Sequence, residues 1–191
     1  MLKVIAPLFV LTLLAGCGAP RYFKTEVLDE AALKQMRAYH AHPVDVDFTR
    51  PATWELKDGE WNEMMEHGDQ AYTRGLLVVD KPAMFKIGKD SMPASSDAGP
   101  HAVIDLKITN IKRGHYSFFT WGPAILDCWA TITDAKTGKV IFKGFAHGIT
   151  PERGGTHYNW ELAGDDGRLK GAHYDIGRKL AWTLEYYANQ K

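Results

Sequence analysis

Three stretches in the middle of the chain alternate apolar and polar residues, and they constrain the fold more than anything else in the sequence. In "AVIDLKITNI" (102–111), Ile104, Leu106 and Ile108 fall on one side and Asp105, Lys107 and Thr109 on the other. In "AILDCWATITD" (124–134), Leu126, Cys128, Ala130 and Ile132 share a face. "KVIFKGFAHGI" (139–149) follows after "DAKTG", where Gly138 supplies the positive φ of a tight turn. A period of two marks half-buried strands, and the short turn joins the last two as a hairpin. On the hairpin, Trp129, Ile141, Phe145 and Ile149 are expected opposite Leu126, Cys128, Phe142 and Ala146. Both sheet faces then need cover, one from helices and the other from loops or a partner.

Two longer segments carry helical spacing. Residues 60–74 place Trp61, Met64, Met65, Gly68, Ala71 and Tyr72 near one face, with Gly75 positioned to stop the helix. Residues 167–188 place Leu169, Ala172, Ile176, Leu180, Leu184 and Tyr187 in a stripe. Gly171 and Gly177 in that stripe weaken a free helix by about 1 kcal/mol each, and close approach to a sheet explains them. Asp29 is placed to cap a short helix with Leu28, Ala32, Met36 and Tyr39 on one side. "PVDVDF" (43–48), "LLVVD" (76–80) and "MFKIG" (84–88) read as further strands, and 90–100 as a loop. The expected class is α+β: a mixed or antiparallel sheet of about five strands with two long amphipathic helices packed on one face.

The N-terminus is of another kind. Lys3 precedes an apolar run from Val4 to Gly16 that contains Pro7. The run is too short for the ~20 residues of a membrane-spanning helix. It fits the apolar region of a secretory signal peptide. The run closes on Leu14-Ala15-Gly16-Cys17, which resembles a bacterial lipobox. The resemblance implies cleavage before Cys17 and acylation of that cysteine with palmitate-type chains. It also implies that Gly18, in place of Asp, directs the protein to the outer membrane, on its periplasmic face. Each buried CH₂ contributes about 0.8 kcal/mol and one chain holds only marginally, so two or three chains make a firm anchor. The chain then divides into a signal peptide (1–16), a lipidated cysteine and tether (17–27) and a single α+β domain (28–191).

Composition removes whole classes of function. Lys+Arg and Asp+Glu balance at 23 each, so no basic field points to nucleic acid. With Cys17 acylated, Cys128 has no intramolecular partner and no disulfide framework exists. Serines occur only at 91, 95, 96 and 117, and no G-x-S-x-G is present. Cys128 sits on an apolar strand face, where a thiol acts as a small hydrophobe. His40, His42, His147 and His157 lack zinc-site spacing, and His147 alternates outward on its strand. Asp165-Asp166 has no calcium-loop pattern and suits a helix cap. "ERGGTH" (152–157) lacks the Lys-Ser/Thr of a phosphate loop. No catalytic residue, metal or cofactor is therefore expected, and the chain reads as a non-enzyme.

One loop resists a bland reading. "GHYSFFTWGP" (114–123) carries Tyr116, Phe118, Phe119 and Trp121 between two strands. Four aromatics in a connection need burial against the core or against something else. Tyr and Trp suit interfaces, so these residues are the candidate contacts for a partner or ligand.

The element order, with Asp134, Thr137, Gly138, Lys139 and Val140 at the hairpin turn, resembles small envelope lipoproteins of Gram-negative bacteria. Some of these share an α+β fold with the periplasmic domains of the curli-secretion lipoprotein and of penicillin-binding-protein activators. No counterpart to the curli protein's membrane-spanning hairpins is present. The resemblance implies a lipid-anchored protein that binds or helps assemble another envelope component, with the membrane and an envelope protein as partners. The alternative is a small-ligand-binding lipoprotein with an aromatic-lined pocket near 115–121. An envelope hydrolase is a third class.

Overall fold

The computed structural model describes residues 22–87, 99–116, 121–150 and 165–190. Residues 1–16, Cys17, Phe118, Phe119, His157 and the 152–157 turn lie outside them, as does most of the 90–100 loop.

The three alternating stretches are long strands: β5 (His101–Lys112), β8 (Ile125–Asp134) and β9 (Val140–Ile149). They pair antiparallel in the order β5-β8-β9. The β8–β9 turn closes as its residues dictate. Asp134 accepts from the Lys136 and Thr137 amides, and Gly138 takes φ 70°. Beyond β9 the edge strand is β1 (Lys24–Leu28), which is antiparallel and bulged between Thr25 and Val27. Such a bulge discourages a further strand from adding there. Most of β1 falls in the stretch read from sequence as tether, so the chain joins the sheet earlier than expected.

On the other side of β5 lie β2 (Ala38–Ala41) and then β4 (Phe85–Ile87), both parallel, while the short β3 (Asp45–Val46) also pairs with β5. The sheet is therefore mixed, and its seven strands exceed the expected five. A separate two-stranded ribbon, β6 (His115–Tyr116) with β7 (Trp121–Gly122), extends the β5–β8 connection.

Among the described residues, three α-helices complete the fold: α1 (Glu30–Gln35), α2 (Asp58–Leu76) and α3 (Asp165–Asn189). Asp29 caps α1 by accepting from the Ala32 amide at 3.0 Å, as its position predicts. The α3 stripe is buried along its length and shares one core with Ile104, Leu106, Ile108, Leu126, Cys128, Ala130 and Ile132. Gly148 in β9 makes room for α3, since a Cβ there would meet the Ala172 carbonyl at 2.4 Å.

Several local expectations are corrected. Gly75 lies inside α2 and does not end it. It faces Gly177 of α3: a Cβ on Gly75 would meet the Tyr174 carbonyl at 2.3 Å, and one on Gly177 the Tyr72 carbonyl at 2.3 Å. The glycine at 177 thus serves a helix–helix crossing and not the approach to the sheet. "LLVVD" forms the end of α2 and a turn instead of a strand, because Leu76 completes the buried helix face. Ile141 is buried in the helix-side core, because a bulge opposite Ile132 and Thr133 adds one residue to β9 and shifts its side.

Candidate functional site

Among the described residues, the helix stripes pack on one side of the sheet, and the outward residues of β8 and β9 on its second side stay partly open. On that second side, Trp129 of β8 and Phe145 of β9 are register partners with ring centroids 5.4 Å apart. Phe145 meets the His147 ring edge-on at 5.0 Å. Alternation on two adjacent strands sets these three rings in a row. Lys143 Nζ lies 4.8 Å over the Trp129 ring and pairs with Glu26 of β1 at 2.8 Å. Trp129 and Phe145 are half-buried, while His147 and Ile149 are exposed.

The row ends in a fixed polar pair. His147 Nδ1 lies 2.7 Å from Asp127 Oδ1, and Asn110 Nδ2 donates to Asp127 Oδ2 at 2.9 Å. Partial burial pushes the Asp127 carboxyl up, but the hydrogen bonds from Asn110 and His147 outweigh it and hold it below the usual carboxylate value. With Nδ1 engaged, the free edge of the imidazole carries Nε2. An oriented imidazole beside two aromatic faces offers hydrogen bonding and apolar contact together. His42 pairs similarly with Asp105 at 2.8 Å, and Lys107 with Asp47 at 2.8 Å. These pairs lie on the strands beside the aromatic row.

Of the nucleophiles weighed from the sequence, Cys128 is the one described, and it does not face His147. The serines at 91, 95, 96 and 117 lie outside the described residues. Cys128 points into the opposite face, is 0% exposed and donates to the Ala146 carbonyl at 3.2 Å. Burial pushes its thiol up to about 12. Among the described residues, no group of three or more His, Cys, Asp or Glu side chains could hold a metal ion.

The aromatic loop is described only at its root. Tyr116 and Trp121 are register partners across the ribbon, and Phe118 and Phe119 lie outside the described residues. Beside that root stands a cluster that the sequence reading did not assemble. Phe48, Trp54 and Trp61 have centroids 5.7, 5.8 and 6.3 Å apart. Arg113 donates to the Trp54 carbonyl at 3.0 Å with its guanidinium 5.6 Å over that ring, and Arg50 lies 6.0 Å over Trp61. Glu55, next to Trp54, takes φ 51°, a left-handed conformation rare outside glycine. The signal was three aromatics within fourteen positions, but Phe48 and Trp61 read separately as strand and helix residues.

Also unread in the sequence is His173 of α3. It is 1% exposed, its Nδ1 donates to the Leu169 carbonyl at 2.8 Å, and its Nε2 is buried with no hydrogen-bond partner. Burial, outweighing the Leu169 hydrogen bond and the nearby Asp69 charge, holds its pKa below the ordinary value. The ring packs on Gly68 of α2, where a Cβ would lie 2.7 Å away.

No described helix is long and apolar enough to cross a membrane. No family model matches the chain, and no curated protein matches it by sequence. Among solved structures, it is similar to the PelC dodecamer from Paraburkholderia phytofirmans, at 11% identity and TM-score 0.47 over 85% of this chain and 96% of that one. It is similar to a DUF330 protein from Xanthomonas campestris, at 11% identity and TM-score 0.48 over 83% and 90%. A third similarity is to lipoprotein GNA1162 from Neisseria meningitidis, at 15% identity and TM-score 0.34 over 62% and 87%.

Proposed function

We propose that this chain is a lipid-anchored protein of the bacterial cell envelope that binds, or helps to assemble, another envelope component. Leu14-Ala15-Gly16-Cys17 supports the anchor, and Gly18 supports the outer membrane, periplasmic face. The observation that carries the binding role is the second sheet face. It holds the Trp129–Phe145–His147 row, while the helix stripes are spent on the other side. Aromatic rings with a polar tip are the side chains that dominate protein interfaces. From the sequence, Tyr116, Phe118, Phe119 and Trp121 of the β5–β8 connection are proposed as further contacts for the same partner. The role is recognition without catalysis, with no cofactor.

The test is a cross-linking pull-down of the acylated protein from native membranes. Trp129→Ser with Phe145→Ser should cut partner recovery as expected for a loss of ~2 kcal/mol or more, while leaving the fold intact. Undiminished recovery would contradict the reading. In parallel, Cys17→Ala should leave an uncleaved precursor or release the protein from membranes, and normal processing would sink the anchor.

A second reading, small-ligand binding, is favoured by the Phe48–Trp54–Trp61 cluster between two arginines. A ligand that stacks there should raise the melting temperature of the wild type but not of Trp54→Ala.

A further inference from the structure

We infer that the surface formed by Tyr22, Trp182 and Arg178 rests on the lipid bilayer that carries the anchor. The inference depends on the reading of Cys17 as lipidated, and adds to it which side of the domain meets the membrane.

The leash between anchor and domain is short. Phe23 is buried at 8% exposure and packs edge-on against Phe142 at 5.5 Å, and β1 starts at Lys24. The chain is therefore fixed to the domain from Phe23 onward. Five residue steps separate Cys17 from Tyr22, which span at most about 18 Å when fully extended. A domain of this size has a radius of gyration of about 15 Å, so it cannot swing clear of an anchor held so closely. Whatever surrounds Tyr22 stays within reach of the headgroups.

The residues there suit that position. Tyr22 is 38% exposed and its ring lies 5.9 Å from that of Trp182 on α3. The Arg178 guanidinium lies 4.7 Å over the other ring of the pair, that of Trp182. Arg178 and Lys179 share one carboxylate, Asp175, both at 2.7 Å, so the group carries an excess positive charge. Tyr and Trp are the residues that settle at the membrane–water interface. Arginine and lysine next to them meet lipid phosphate. Neither contact need be strong, because a short tether holds the surface at high effective concentration against the bilayer.

The experiment uses the full-length lipidated protein in phosphatidylethanolamine/phosphatidylglycerol vesicles whose acyl chains carry bromine near the headgroup end. The chain has six tryptophans, so the wild type is compared with Trp182→Phe. Bromine should quench part of the wild-type emission, and Trp182→Phe should lose most of that quenching while floating with the vesicles as before. Tyr22→Ser, which leaves Trp182 in place, should reduce the same quenching. Flotation with quenching that does not depend on Trp182 would overturn the docking surface and leave the anchor standing. So would a Trp182 emission that shifts only in native membranes, which would put a protein there. Failure of the full-length chain to float would overturn the anchor itself.

Discussion

Gly177→Ala should destabilise the protein although alanine is the better helix former. In a free helix the change gains about 1 kcal/mol. Here the new Cβ would lie 2.3 Å from the Tyr72 carbonyl and 3.1 Å from the Leu76 amide, both backbone atoms that cannot rotate away. Relieving the clash means widening that Cβ–carbonyl distance to 3.0 Å or more, which opens the α2–α3 crossing. Ile176 and Leu180 on one helix and Tyr72 and Leu76 on the other are at most 1% exposed, so that movement disturbs packed core. Overpacking of this kind costs roughly 1–3 kcal/mol and here belongs at the upper end. The net loss should be about 1–2 kcal/mol, a fall in Tm of roughly 3–8 °C for a domain of this size. Gly59→Ala is the control, because nothing lies within 4 Å of a Cβ there. It should leave stability unchanged or raise it by up to ~1 kcal/mol. Thermal and denaturant melts of the two variants decide the matter. If Gly177→Ala behaves like Gly59→Ala, the two helices do not cross at Gly75 and Gly177.

Other consequences are as direct. Cys128→Ala should cost of order 1 kcal/mol in a denaturant melt, and the native thiol should resist a bulky maleimide, since burial both hides it and suppresses its thiolate. Fast labelling of Cys128 would refute its place in the core. His173 should make the fold acid-sensitive: its folded pKa lies below 6.5, so the unfolded chain binds the proton first. Stability is then fully present above pH 6.5 and is lost as pH falls toward the folded value, by up to about 1.4 kcal/mol per pH unit. Melts across that window should show a shallower pH dependence in His173→Asn, and equal slopes would contradict the burial.

The parts of the fold legible in the sequence are those whose side chains see two different environments. β5, β8 and β9 alternate because one face is core and the other is not, and α3 shows its stripe for the same reason. β2 could not be read that way. Tyr39, His40 and Ala41 are all buried, so the strand has no alternation, and Tyr39 falls in with the helical spacing of α1 instead. "LLVVD" misled for the opposite reason: an apolar run too short to carry a period fits a strand or the end of a helix equally. The bulge at Ile141 shifts side by one residue without any turn signal. Of the candidate site, the outward placement of Trp129, Phe145 and His147 was legible from period alone. The Asp127–Asn110 support and the Phe48–Trp54–Trp61 cluster were not, because each joins positions on different elements.

An envelope partner is proposed to cover the Trp129–Phe145–His147 face, and cysteine accessibility at Ile149, exposed on the same side of β9, decides whether it does. In an Ile149→Cys variant the three rings stay in place, Cys128 is buried, and an acylated Cys17 takes no label, so maleimide reports position 149. Labelling should be rapid in the purified protein and strongly suppressed in native membranes. Equal labelling in both would show the face uncovered where the protein works and would refute the proposed contact.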